Sequence, residues 1–342
     1  MTSKILVTGG LGYIGSHTSV ELIQQGFEII IVDDLSNSSI KVLDGIKKIT
    51  GVSPEFVKLN LRNKKEVNRL FEVYPDLSGI IHFAAYKAVG ESIDQPLKYY
   101  QNNIGSLINL LQAIESKRKR FSFIFSSSCT VYGQADKLPI TEKAPIKKAE
   151  SPYGNTKQIG EEILFDSTRS NGLIKVISLR YFNPIGGHPS IEIGELPKGK
   201  PQNLVPFITQ TAAGIHKNLN VFGNDYPTLD GTCIRDYIHV VDLAEAHVAG
   251  LKRIMADEQN DNFEVFNLGT GKGKSVLEVI KIFEKVSGVT LNYEIVNRRP
   301  GDIVEAYADT AKAKKVLRWK AKNDLGEALK TAWEWEKKIR NI

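Results

Sequence analysis

The stretch Ser151-Pro152-Tyr153-Gly154-Asn155-Thr156-Lys157 sets a phenol four residues ahead of an ammonium. Pro152 suits the first turn of a helix, where its missing N–H would have no intrahelical partner. A helix running on through Ile163-Leu164-Phe165 puts Tyr153 and Lys157 on one face. The ordinary phenol pKa is about 10, so phenolate is scarce at neutral pH, and a nearby positive charge favours it. Bringing the phenol into the neutral range takes about 4 kcal/mol of differential stabilisation, part of it from one lysine. In that pattern Tyr153 is a candidate general base and Lys157 the group that tunes it. The same spacing occurs on ordinary surface helices, so its meaning depends on what the rest of the chain brings to it.

A second constellation lies at the start. The apolar run Lys4-Ile5-Leu6-Val7-Thr8 leads into Gly9-Gly10-Leu11-Gly12-Tyr13-Ile14-Gly15, and a helical pattern continues from Ser16 to Gln25. Strand, glycine turn and helix in that order form a cradle for a dinucleotide. Gly9 permits the tight turn, Gly12 lets backbone approach a pyrophosphate, and Gly15 lets the helix pack on the strand. The phosphates then face free N–H groups at the helix N-terminus. The next apolar run, Phe27 to Val32, closes on Asp33-Asp34, about 20 residues on, where such a site places its ribose-binding carboxylate. A 2′-phosphate would meet two carboxylates there, which favours NAD over NADP.

Elements to position these groups follow from the pattern. Strands are expected at Glu55 to Leu59, Gly79 to Phe83, Ser122 to Ser127 and Ile174 to Leu179, with helices over Lys64 to Val73 and Ile104 to Ser116. The alternation predicts an α/β fold with a doubly wound parallel sheet of the Rossmann type. Ligands in such sheets sit beyond the carboxyl ends of the strands, where Asp33, Phe83-Ala84-Ala85, Ser128 and Arg180-Tyr181-Phe182-Asn183 all fall. Residues 1–183 are therefore expected to form the NAD-binding domain. A smaller C-terminal α/β domain for the substrate is expected over 184–342, with the chain returning to the sheet around 238–268. An amphipathic helix is expected over Leu325 to Ile339.

At 42% hydrophobic and 25% charged residues the composition is that of a soluble globular protein. Cys129 and Cys233 have neither metal-ligand spacing nor disulfide-ladder spacing, which points to a reducing compartment. The N-terminal residues lack signal-peptide character and no apolar run reaches the length of a membrane span, so a cytoplasmic protein is expected. The net charge of +6 comes from scattered lysines without interleaved aromatics, so neither nucleic acid nor membrane is expected as a partner. His82 reads as a core histidine, Cys129 as a packed small residue, and no metal is expected.

Together, the glycine motif, Ser126-Ser127-Ser128-Cys129-Thr130-Val131-Tyr132-Gly133, Tyr153 and Lys157 resemble the extended short-chain dehydrogenase/reductases. Lys87-Ala88-Val89-Gly90-Glu91-Ser92, Arg180-Tyr181-Phe182-Asn183-Pro184, Phe222-Gly223-Asn224-Asp225-Tyr226-Pro227-Thr228 and Arg235-Asp236-Tyr237-Ile238-His239-Val240 narrow the resemblance to their UDP-galactose 4-epimerase branch. The resemblance spans essentially the whole chain. It implies that NAD stays bound while UDP-glucose and UDP-galactose are interconverted through a 4-keto sugar. Tyr153 would act as base, Ser128 would share the sugar oxygen, and Lys157 would hold the nicotinamide ribose. Tyr13, Ile14, Asp33, Asn37, Ser38, Phe83, Ala84, Lys87, Asn102 and Phe182 are implied as further cofactor contacts. Asn183, Asn203, Phe222, Arg235, Arg299 and Asp302 are implied as contacts to the UDP-sugar, with Lys87 also in reach of it. A homodimer joined through two helices of each subunit is implied as well.

Two departures from the family pattern stand out. Asn60-Leu61 replaces the Asp that often meets the adenine amino group, and an amide oxygen can still accept that bond. The sugar-pocket residue falls on Ala306, where a large aromatic would confine the enzyme to plain hexoses. Alanine leaves room for an N-acetyl group, so activity on UDP-GlcNAc and UDP-GalNAc is also expected, unless Tyr307 occupies the pocket instead. A 4,6-dehydratase needs an Asp-Glu pair where this chain has Cys129-Thr130. A UDP-glucuronate decarboxylase and a non-catalytic NAD-sensing regulator are the remaining rivals, the latter disfavoured by the presence of both Tyr153 and Lys157.

Overall fold

The structure is a computed structural model that describes residues 3–170, 172–299 and 301–342. Strands and helices alternate as β1 (Lys4–Thr8), α1 (Tyr13–Gln24), β2 (Glu28–Asp33), α2 (Val42–Thr50), β3 (Glu55–Lys58), α3 (Lys64–Val73) and β4 (Leu77–His82). A helical run then passes through α4 (Val89–Asp94), α5 (Pro96–Tyr99), a π-helical turn at Tyr100–Ile104 and α6 (Gly105–Ser116). After it come β5 (Phe121–Ser128), a 3₁₀ turn at Cys129–Tyr132, α7 (Pro152–Ser170) and β6 (Ile174–Tyr181). The later elements are β7 (Asn183–Ile185), α8 (Leu204–Ala212), β8 (Leu219–Phe222), β9 (Ile234–His239), α9 (Val240–Met255), β10 (Phe263–Leu268) and β11 (Gly273–Ser275). The chain ends with α10 (Val276–Ser287), β12 (Tyr293–Val296), β13 (Glu305–Ala306), a π-helical turn at Ala313–Leu317 and α11 (Leu325–Arg340).

Seven strands form one parallel sheet in the order β10-β6-β5-β4-β1-β2-β3. Its central strands are near-continuous apolar runs because helices cover both faces, and all eight residues of β5 are buried. One core cluster joins Ile5, Val7, Ile31 and Ile81 to Val20 on α1 and Leu251 on α9. The other packs Leu6, Ile30 and Ile80 against Leu107 on α6 and Leu164 on α7.

The helix after the glycines begins at Tyr13 rather than Ser16, so the motif's last residues lie inside its first turn. Gly15 makes this possible, since a Cβ there would lie 2.3 Å from the Gly9 carbonyl oxygen. The return of the chain to the large sheet is made by α9, which packs on α1, β5 and β6, and by β10 at the edge beside β6. Ile238 belongs elsewhere: β9 pairs with β7, β11 and β13 in a small separate sheet. A two-stranded pair, β8 with β12, completes the second half. Its core gathers Ile208 of α8, Phe283 of α10 and Trp333 of α11.

Candidate active site

Gly9 follows β1 with φ 66°, and a Cβ on it would lie 2.8 Å from the backbone nitrogen of Ala84. The turn therefore closes tightly on the loop after β4. Gly12 is the N-cap of α1 and brings no side chain to it, and the first turn carries no acid. By contrast, Asn63, Ser275 and Asp324 cap α3, α10 and α11 with their own side chains. The first intrahelical bond of α1 runs from Ser16 N to Gly12 O at 2.9 Å. Ahead of it, the amides of Tyr13, Ile14 and Gly15 present the positive end of the helix to an anion. At the end of β2, the Asp33 carboxylate accepts from Leu11 N (3.1 Å), Leu35 N (2.9 Å) and Ser38 Oγ (2.7 Å). A carboxylate has about four acceptor sites, so it is oriented and still has capacity for a ribose hydroxyl.

Ser128 closes β5, and Pro152 opens α7 one position ahead of Tyr153. A Cβ on Gly160 would lie 2.7 Å from the Phe125 ring, so α7 packs unusually close to β5 and presses its polar face onto it. Lys157 is buried, donates from Nζ to the Ser126 carbonyl at 2.6 Å, and lies 5.9 Å from the Tyr153 ring centre. Burial pushes the Tyr153 phenol well above its ordinary pKa, reinforced by Tyr181 and opposed by the Ser128 hydroxyl. Burial also pushes Lys157 down to about 8, with the Glu161 carboxylate acting the other way. The expected contribution of Lys157 is only part of the shift toward phenolate, and burial works against that part. Desolvation outweighs one ammonium, and the protein's own groups leave Tyr153 protonated.

A cavity of about 950 Å³ runs along the carboxyl ends of the strands. It is lined by the glycine turn with Tyr13 and Ile14, by Asp33, Asn37 and Ser38, by Asn60 and Leu61, and by Phe83, Ala84 and Lys87. Asn102, Ser128, Tyr153, Lys157, Phe182, Asn183 and Asn203 complete the expected residues on its wall. Its volume is at the upper end of what ligand pockets span. Phe222, Arg235, Arg299, Asp302 and Ala306 are not on that wall. They gather instead around β9 and β13, where Asp302 Oδ1 takes Arg299 at 2.8 Å and Arg235 at 3.8 Å, and Arg299 lies 5.5 Å from the Phe222 ring centre. Asp302, expected to accept from a ribose, is here engaged with the two arginines. Ala306 pairs with Arg235 across the strands and is packed with Phe182, Val131 and Tyr132, so it backs the cavity wall at Phe182. The ring of Tyr307 lies instead by Gly273, on the side away from that cluster.

The family model described as GDP-mannose 4,6 dehydratase matches residues 6–332. A UDP-glucose 4-epimerase of Bacillus subtilis (strain 168) is 49% identical over 332 residues, which cover 97% of this chain and 96% of that protein. The chain belongs to the UDP-glucose 4-epimerase family. Two solved structures agree with that placement. The epimerase from Stenotrophomonas maltophila with bound NAD and formylated UDP-arabinopyranose superposes with a TM-score of 0.95 at 44% identity, covering 99% of both chains. The Bifidobacterium longum epimerase in complex with NAD+ and UDP gives 0.94 at 43% identity, again over 99% of both.

Within this epimerase-family site several residues escaped the sequence reading. Glu195 accepts from Lys87 at 3.3 Å and from Asn203 at 3.0 Å, tying the two sides of the cavity together. Lys198 donates to the carbonyls of Leu35 and Ser36 at 2.8 and 3.1 Å, so the loop before α8 straps across the end where Asp33 sits. Turn-rich sequence around Pro197 and Pro201 signalled a loop but not where it lands. Glu161 and Arg180 form a buried ion pair behind Lys157. The position of Glu161, one helical turn after Lys157, was the available signal. Of the other residues singled out, the Cys129 thiol is pushed up to about 12 by burial, and His82 is bonded to Thr8 Oγ1 at 2.7 Å. Among the described residues no group of three or more His, Cys, Asp or Glu side chains could hold a metal ion.

Proposed function

We propose that this chain interconverts UDP-glucose and UDP-galactose by oxidation at sugar carbon 4, turnover of the 4-keto sugar in the pocket, and reduction on its other face. The observation that carries this reading is the meeting of Ser128 and Tyr153 on the wall of a cavity whose other end is the uncapped start of α1. NAD, when bound, supplies a hydride acceptor that returns the same hydride, and a positive ring charge that favours the phenolate. Tyr13, Ile14 and Gly15 would hold its pyrophosphate, Asp33 with Asn37 and Ser38 its adenosine ribose, and Asn60 and Leu61 its adenine. Lys157 would hold the other ribose, with Phe83, Ala84, Lys87, Asn102 and Phe182 around that half. Tyr153 takes the 4-hydroxyl proton as the C–H bond breaks and returns it when the hydride comes back. Ser128 donates to the same oxygen and keeps it in place while the phenol changes charge.

For the UDP-sugar, Asn183 and Asn203 would bind from the cavity wall, while Arg235 and Arg299 would turn their donor forks from Asp302 to the diphosphate. Asp302 is then free to accept from the uridine ribose, beside Phe222. Activity on UDP-GlcNAc and UDP-GalNAc rests on the small side chain of Ala306, which is buried behind Phe182 rather than on the wall, so room for an acetamido group requires Phe182 to move toward it. Dehydration is disfavoured, since Cys129 is held as thiol by burial and the Thr130 hydroxyl is buried without a partner among the described residues. Exposed Leu97 on α5, Ile108 on α6 and Phe165 on α7 support a homodimer formed through that helical face. No helix among the described residues is long and apolar enough to cross a membrane, and both cysteines are free, in keeping with a cytoplasmic enzyme.

The purified protein, given UDP-galactose and UDP-GalNAc separately without added NAD, is expected to convert both. Ala306→Tyr should keep the first conversion and lose the second. Equal turnover of UDP-GalNAc by this variant and by wild type would remove Ala306 as the determinant.

A further inference from the structure

The buried stripe of α7 is not the apolar stripe of an ordinary sheet-packing helix. It reads Tyr153, Lys157, Glu161, Leu164 and Thr168 at helical spacing, with two opposite charges in its middle. Glu161 Oε1 accepts from Ser127 Oγ at 2.6 Å, Ser178 Oγ at 2.8 Å and Arg180 Nε at 2.9 Å, and Oε2 accepts from Arg180 through Nε and Nη2. Arg180 Nη1 then donates to Tyr132 at 2.9 Å, and the Tyr132 hydroxyl donates to Asn267 Oδ1 at 2.7 Å. The network therefore fastens α7 to β5, β6 and β10 directly behind Lys157. Side-chain exposure of Arg180 and Glu161 is 7% and 9%. A buried ion pair gives no general advantage over well-packed apolar residues, so its presence asks for another role.

We propose that Glu161, held by Arg180, is a positioning residue for the reaction: it fixes the height of α7 over Ser128 and keeps Lys157 in its ammonium form. The proposal rests on the epimerase reading above. The titratable groups round Lys157 make Glu161 distinctive. Tyr153 shares its helix and His82 interacts with its charge from β4, while Tyr181 of β6 and Cys129 of the turn after β5 act on Tyr153. Arg180 of β6 is bound to Glu161 and Tyr132. Tyr99 of α5 donates to Glu91, Tyr100 accepts from Asn155, and Glu91 of α4 is partly exposed and paired with Lys98. Glu161 is thus the buried carboxylate that acts on Lys157, opposing the burial that lowers its pKa to about 8. Without that carboxylate, Lys157 loses its proton at lower pH.

The test titrates ¹³Cε-lysine-labelled holoenzyme by NMR, with the Lys157 resonance assigned by its loss in Lys157→Met, and records kcat for UDP-galactose against pH on the same samples. In Glu161→Gln the Lys157 midpoint should fall by about one pH unit, and the alkaline limb of kcat should move down with it. Glu161→Gln/Arg180→Gln, which removes both charges and leaves no buried charge unpaired, should lower the midpoint in the same direction. Glu264→Gln is the control, since it breaks the other buried pair, Arg253 with Glu264, away from the cavity. It should leave both the midpoint and the limb in place. An unmoved Lys157 midpoint in both Glu161 variants, or an equal movement in Glu264→Gln, overturns the proposal. A moved midpoint in a protein that converts no UDP-sugar would keep the hold of Glu161 on the Lys157 proton and overturn both its role in the reaction and the functional reading.

Discussion

The two ends of the ligand site are built on opposite principles. At the dinucleotide end, the groups that would meet the cofactor are held by backbone: Gly9, Gly12 and Gly15 by close packing of a turn, Asp33 by two amides and a serine, Tyr153 and Lys157 by a helix pressed onto a buried strand. At the end proposed for the sugar nucleotide, Arg235, Arg299 and Asp302 hold one another, and Phe222 is 38% exposed. The first end is ready before anything binds. To take a UDP-sugar as proposed, the second would have to exchange internal partners for those of the ligand, and part of the binding energy would go into rearrangement. A cofactor retained between turnovers, as proposed, would suit the former, and a substrate that must leave would suit the latter.

Variants at each end sharpen this contrast. Tyr153→Phe should have the largest effect, lowering kcat by about 10²- to 10⁴-fold while the protein keeps its bound dinucleotide. Retained turnover would remove Tyr153 as the base. Gly15→Ala should come next, because its Cβ would meet the Gly9 carbonyl oxygen at 2.3 Å. About 1–3 kcal/mol of stability should be lost through overpacking, read as a lower Tm together with less NAD after gel filtration. A variant that kept its Tm and full NAD content would show the cradle to be less rigid than described. Arg299→Ala should leave Tm nearly unchanged and raise KM by about 10- to 100-fold, the worth of one charge-assisted hydrogen bond. The smallest effect belongs to Arg298→Ala, whose pair with Asp225 at 2.7 Å is exposed on both sides and screened by solvent. If Arg298→Ala raised KM as far as Arg299→Ala, the outer arginine would belong to the site as well.

The same contrast explains what the sequence disclosed. The span Lys64 to Val73 was legible to the residue, because Asn63 caps it and apolar residues recur at Val67, Leu70 and Phe71. The strands of the large sheet announced themselves as apolar runs, and the chemistry at their ends followed from fold geometry. In the second half, β11, β12 and β13 are two to four residues long. Strands so short leave no periodicity to read. The pairing of Arg235 with Asp302 depends on β9 lying beside β13, a contact across some 70 residues of chain that no local pattern encodes. Glu161 and Arg180 were hidden for a similar reason, since their partnership exists only once α7 lies across β6. The rise of the Tyr153 pKa was missed because spacing reveals a neighbouring charge but not the loss of water around it.

The edge strand β10 has a consequence for how the protein is made. It pairs with β6 along Phe263 to Leu268, although β6 ends at Tyr181. Residues 182–262 separate them, about 80 in all, so at ordinary synthesis rates β6 waits on the order of 4–16 s for its neighbour. During that wait a strand of almost wholly buried side chains presents an open row of amides and carbonyls. The nascent chain is therefore most open to intruding strands, and to chaperones, after α7 and β6 have emerged and before the last sheet partner has.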